Sequence, residues 1–232
     1  MSSRYRQGVV VVTAALAALV LAGCASTQRG PTEWDGLVRQ PNTRLDAVFL
    51  RPGVSISSYT TIMLAPADVQ FAENWDPNRA GRSSARRLDT ADILAIKANL
   101  STMFGEIFTN ELTSGGYKIV TEPGPDTLLV VPAIVNLFIT APDTASAGRT
   151  RTYTANSGQM TLVLEVRDSV TGEVLARVVD GRSGRTSGFM TVTNRVTNTA
   201  DARRAMQIWA GALRNGLDSL RQPGSPSGGK TE

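Results

Sequence analysis

Apolar positions along this chain change period several times, and each change marks an element. From Gly8 to Leu21 they run almost unbroken behind a basic start at Arg4 and Arg6. The run is about 14 residues, short of the roughly 20 a spanning helix needs, so it reads as the h-region of an export signal. Tyr59 to Val69, with Thr60, Thr61, Ile62, Met63 and Leu64, suits a half-buried strand that has Pro66 at its end or at an edge. Ile93, Ile96, Leu100, Met103, Phe104, Ile107, Phe108 and Leu112 then recur at three and four, the stripe of a helix packed on a sheet. Asp89 or Thr90 can cap its start, with Asp92 in the first turn, and Gly115-Gly116 ends it.

Tyr117 to Thr121 reads as a short strand. Thr127 to Thr140 is a nearly continuous apolar run, a buried strand bent at Pro132. Met160 to Arg167 alternates, Asp168 to Glu173 is a hairpin turn with Gly172 supplying the left-handed residue, and Val174 to Asp180 returns. A last helix, capped by Asn198 or Thr199, places Ala202, Ala205, Met206, Trp209, Leu213 and Leu217 on one face. Trp34 to Val38 and Leu45 to Leu50, interrupted by Pro41 and Pro52, read as extended pieces laid over the surface rather than regular elements. The order β-α-β-β-β-β-α predicts an α+β two-layer sandwich. Its sheet is mixed, of four to five strands, with two helices on one face and the later strands running as a meander.

Cys24 is the single cysteine and closes the run Leu21-Ala22-Gly23-Cys24 directly after the h-region. That is the pattern of a bacterial lipoprotein signal, cut before the cysteine that then carries lipid. The expected organisation is a signal peptide over 1–23, a lipidated tether and extended arm over 24–57, a periplasmic α+β domain over 58–221 and a tail over 222–232. Ala25 rather than Asp follows the cysteine, which favours the periplasmic face of the outer membrane. Several acyl chains give stable anchoring where one is marginal. The formal charge of +4 falls further once Arg4 and Arg6 leave, so nucleic acid is a poor partner for this exported chain.

Histidine is absent, which removes a Ser-His-Asp triad and His metal ligation. No cofactor or metal is expected, and the chain reads as a non-enzyme. Glu165, Asp168, Glu173 and Asp180 crowd one hairpin, where paired carboxyls would be needed for hydrolase chemistry; they read rather as solvated hairpin charges. Trp34 and Trp75 read as loop anchors in preference to sugar platforms. The remaining positive feature is arginine in three polar connections: Arg79, Arg82, Arg86 and Arg87; Arg149 and Arg151; Arg182 and Arg185. Arginine forks suit phosphate and carboxylate. Converging, they would meet an anionic lipid head group, a glycan phosphate or an acidic envelope protein. The loops at 72–87 and 141–157 are the expected contact surfaces. A self-associating structural lipoprotein and, behind it, a carboxylate-based hydrolase are the alternatives.

With Trp34-Asp35-Gly36-Leu37, Tyr59 leading into Leu64-Ala65-Pro66-Ala67, Gly116-Tyr117-Lys118-Ile119-Val120 before Glu122-Pro123-Gly124-Pro125, Asp168 with Thr171-Gly172-Glu173, and Trp209, the chain resembles a bacterial periplasmic lipoprotein family of unknown function. The resemblance spans Trp34 to Leu220 and implies no assigned reaction or ligand.

Overall fold

The apolar run at Thr127–Ile139 forms the longest strand, and the sheet is assembled around it. The computed structural model describes residues 31–41, 43–76, 88–139, 152–154, 158–183, 191–193 and 195–221. The chain divides into the units Met1–Thr32 and Glu33–Glu232, and the fold is that of the second. In chain order its elements are β1 (Glu33–Trp34), β2 (Leu37–Arg39), β3 (Ala47–Leu50), β4 (Thr61–Leu64), β5 (Asp68–Phe71), α1 (Thr90–Ser114), β6 (Lys118–Val120), β7 (Thr127–Ile139), β8 (Thr152–Thr154), β9 (Gly158–Asp168), β10 (Val174–Ser183), β11 (Thr191–Thr193) and α2 (Arg195–Arg221).

The main sheet has nine strands in the order β1-β2-β3-β10-β9-β7-β4-β6, with β5 also on β7; β8 and β11 form a separate ribbon. It is a mixed sheet: β4 is parallel to both β6 and β7, whereas β7, β9, β10 and β3 are successively antiparallel. Leu128, Val130, Pro132 and Ile134 of β7 are buried, and the residues that alternate with them are only half-buried. Leu128, Val130 and Ile134 share one core with Leu162, Leu164 and Val166 of β9, Phe104, Phe108 and Leu112 of α1, and Met206, Trp209 and Leu217 of α2. Both helices therefore cover one face, and alternation along the strands leaves the other face open.

The helix ends follow their residues. Asp89 caps α1 in a reciprocal box with Asp92. At the other end Gly116 sits at φ +83, its N–H bonds to Thr113 and that of Tyr117 to Leu112, a Schellman close with Leu112 and Tyr117 both in the core.

The architecture is richer than the four to five strands expected, for local reasons. The pieces between Trp34 and Leu50 are strands, too short to show a full period, and they gain their ladder from β10 far along the chain. Tyr59–Val69 is two strands, split at Pro66, both parallel to β7. Pro132 does not bend β7: it stays in register with Leu164, and the irregularity falls between Val135 and Phe138. Val130 accepts from the N–H of Ala65, so two residues on the ring nitrogen of Pro132 faces the same side, at the gap between β4 and β5. No donor is missed there. β4, α1 and β6 form a parallel β-α-β unit, and the later strands β7, β9 and β10 run antiparallel as the expected meander. β10 extends through Gly181–Ser183, which places Arg182 on a strand rather than in a loop. α2 starts at Arg195, ahead of the expected cap at Asn198 or Thr199; such residues are only mildly unfavourable inside a helix. Among the described residues no helix is long and apolar enough to cross a membrane.

Candidate functional site

On the open face one cation organises the polar groups. Arg177 of β10 lies directly opposite Glu165 of β9 and Phe49 of β3. Its side chain is only 9% exposed. It donates to Glu165 at 2.7 Å and to Asp35 at 2.9 Å, and its guanidinium lies 4.1 Å from the Trp34 ring centre. Asp35 and Gly36 both have positive φ, as a tight two-residue hairpin turn demands, and this turn carries Trp34 and Asp35 onto Arg177. Trp34 also meets Phe49 edge-on. Burial by itself would raise the Glu165 carboxyl; hydrogen bonds and charge from Arg167 and Arg177 outweigh it and hold the group below the usual carboxylate range.

On the helix-covered face a carboxylate is buried. Asp180 is 1% exposed and accepts from Trp209 Nε1 at 2.8 Å, Arg182 Nε at 2.5 Å and the Asp46 N–H at 3.0 Å. Asp46 in turn accepts from the Gly181 N–H. Asp180 lies opposite Leu162, whereas Glu165 lies opposite Arg177, so the two acids project from opposite faces of the sheet. They cannot flank one substrate. Asp168 accepts from Tyr59 and Thr171, and Glu173 pairs with Arg51. Glu165 and Asp180 are thus partnered structural groups rather than the solvated charges expected from sequence, whereas Glu173, 51% exposed, is a solvated hairpin charge as expected.

A third set ties distant turns together. The Tyr117 hydroxyl donates to Asp218, and Arg221 lies over the Tyr117 ring while bonding the Tyr59 carbonyl. Ser169 donates to the Gly124 carbonyl and accepts its N–H, holding the Pro-Gly-Pro turn to the β9–β10 hairpin.

Among the described residues two concavities stand out. One is a cavity of about 100 Å³ between α2 and the strands β3, β10 and β9, lined by apolar residues including Val54, Leu164, Trp209, Leu213 and Leu217. The other is a shallow polar depression at the bulged end of β7, where Asn136 at φ +52 meets Asn74, Gln159 and Arg182.

Residues 28–213 match a family described as protein of unknown function, DUF3313. The chain belongs to this family. No functionally curated protein matches it. Among solved structures it is similar to PelC from Paraburkholderia phytofirmans, a dodecamer, at 11% identity and TM-score 0.38, over 72% of this chain and 96% of that one. It is also similar to a minor lipoprotein from Acinetobacter baumannii, at 11% identity and TM-score 0.34, over 70% and 95%. A DUF330 protein from Xanthomonas campestris aligns at 14% identity and TM-score 0.36, over 73% and 93%.

For this DUF3313 chain, Cys24, Arg79, Arg82, Arg86, Arg87, Arg149, Arg151 and Arg185 lie outside the described residues. Arg182 is described and is bound to Asp180 on β10. Trp75 stacks on Phe71 at 3.9 Å and donates to the Ile139 carbonyl; like Trp34, it anchors a segment. Sequence reasoning missed Arg177, since nothing in the pattern marks a strand arginine as buried. The Asp-Gly turn beside an aromatic was the available signal for it.

Proposed function

We propose that this DUF3313 protein is lipid-anchored at the periplasmic face of the outer membrane and acts as a non-enzymatic binding or accessory subunit of the cell envelope. The observation that carries this is Leu21-Ala22-Gly23-Cys24 at the end of an h-region too short to span. Family membership beginning at residue 28, just beyond the cysteine, is consistent with a mature chain that starts there. The binding role draws support from how the acids are used: Glu165, Asp168 and Asp180 are each engaged in bonds that hold strands and helices together.

Metabolic labelling with radioactive palmitate tests the anchor. Label should enter the wild-type chain and be absent from Cys24→Ser, which should accumulate as an unprocessed precursor. Equal labelling of both, or a mature N-terminus other than Cys24, overturns the reading. Crosslinking in intact cells followed by mass spectrometry then identifies the partner. Recovery of no envelope component overturns the accessory role while leaving the anchor intact.

A further inference from the structure

We propose that the depression at the bulged end of β7 is a binding site for a neutral oligosaccharide. Its volume is about 680 Å³, inside the roughly 300–1,000 Å³ of ligand clefts. The carboxamides of Asn74, Asn136 and Gln159 line it, with the hydroxyls of Thr161 and Ser183 beside them. Among the described residues none of these five side chains has a hydrogen-bond partner. That sets them apart from Tyr59, Glu165, Ser169 and Asp180, whose polar atoms are spent within the fold. A carboxamide offers two donors and an acceptor, and a hydroxyl both donates and accepts. Together they complement a polyol.

A bulge presents one of these groups. Between Val135 and Phe138 two residues of β7, Asn136 and Leu137, stand against Met160 alone on β9, an arrangement that re-aims side chains. The extra residue turns Leu137 into the core and leaves Asn136 exposed at φ +52. A glycine would hold that backbone with less strain, so packing explains the bulge and leaves the carboxamide unexplained. Asp35 is the other described non-glycine residue at positive φ, and it closes a hairpin and bonds Arg177. Asn136 lies within a strand, and its side chain bonds nothing among the described residues.

Charge and backbone narrow the class. Glu73 and Arg182 are the charged residues of the lining, and Arg182 is already paired through Nε with Asp180. A phosphate or carboxylate therefore finds no uncompensated cation. An extended peptide would need a free ladder, yet Gln159 and Thr161 pair on both sides, with β7 and with β10. On the outer side of β10 the Gly181 N–H goes to Asp46. A peptide also gains from apolar pockets for its side chains, and Ala72 and buried Met160 are the apolar side chains of the lining. A sugar face needs side-chain donors and acceptors, which are what the depression supplies.

This names a ligand for the binding role proposed above and rests on that role, though not on the lipid anchor. The full chain is purified in a detergent without a sugar head group. Saturation-transfer NMR is recorded with maltotriose, cellotriose and tri-N-acetylchitotriose, and with tetra-alanine as the peptide probe. At least one trisaccharide should receive transfer, and tetra-alanine should not. Asn136→Gly should weaken binding of that sugar at least tenfold by titration calorimetry, with a melting temperature level or raised because glycine relieves the backbone. Should it lose a cooperative melt, Gln159→Ala repeats the measurement at another exposed side chain. Transfer to none of the three sugars, transfer to tetra-alanine instead, or unchanged affinity in the variants overturns the proposal. Cys24→Ser should bind as the parent does, so a failed palmitate label leaves this site standing. A chain that binds no sugar yet crosslinks to an envelope component fails here and not there.

Discussion

The guanidinium of Arg177 stacks 4.1 Å from the ring centre of Trp34 and ties the first strand of the fold to the tenth. The same side chain neutralises Glu165 and reaches Asp35 in the turn between β1 and β2. The hairpin is thereby held by an ion pair, a cation–π contact and a ladder on β3 together.

Arg177→Ala should lower stability by about 1–3 kcal/mol, because Glu165, 16% exposed, loses one of its two arginine partners and keeps Arg167. Most of the loss belongs to Glu165, since Asp35 is 68% exposed and its arm of the network is screened by water. Urea denaturation gives the magnitude. Hydrogen exchange should rise first at Leu37–Arg39, and uniform protection there would contradict the clamp.

Trp209→Phe keeps one aromatic ring but deletes the pyrrole half of the indole and removes one donor from buried Asp180. The expected cost is about 3 kcal/mol, the lost donor together with the cavity left at a fully buried site. Asp180→Asn in the Trp209→Phe background should recover part of it, a coupling that a double-mutant cycle reads directly.

The Tyr59–Asp168 bond makes stability fall at both pH extremes. Asp168 is held at about 2 against 3.8, first by the Thr171 N–H and then by Tyr59. The unfolded chain takes up that proton more readily, so the contribution is present above about pH 4 and is lost as pH falls toward about 2. Tyr59 is pushed up to about 12 from 10.0, by burial first and its bond to Asp168 second. Its contribution is complete below about pH 10 and disappears as pH rises through about 12. Tyr59→Phe should shrink both limbs: the acid limb retains the Thr171 part, and the alkaline limb retains that of Tyr117, whose hydroxyl burial and Asp218 also push up. Identical pH profiles for parent and variant would exclude the pair as their source.

Gly116→Ala should cost about 1 kcal/mol, the price of a left-handed backbone with a side chain. Its Cβ would meet nothing within 4 Å, so no clash is added. Gly158→Ala should cost more, since its Cβ would fall 2.3 Å from the Phe138 carbonyl oxygen. Thermal melts of the two variants should rank in that order.

What the sequence made legible follows the length of each periodic signal. α1, with its Asp89 start and glycine close, and the β9–β10 hairpin with Gly172 at φ +73 carry many turns or alternations of consistent patterning. β1, β2 and β3 are two to four residues each and are stabilised by partners remote in the chain, which no local window contains. Buried charge escaped for a related reason. Glu165 and Asp180 look alike in a strand, and only the register of β9 against β10 shows that they face opposite ways. The loop beginning at 72 was legible as a loop, yet Trp75 within it belongs to the fold. A deletion meant to probe partner capture should start after Asp76.

The sheet ends at its N-terminal side in β1 and β2, which occupy the position beside β3 where another strand would otherwise add. Proteolysis or cloning that trims the chain past Trp34 would uncover donors and acceptors along that border. Such shortened forms should self-associate through strand exchange, so preparations for biophysical work need the segment from Glu33 intact.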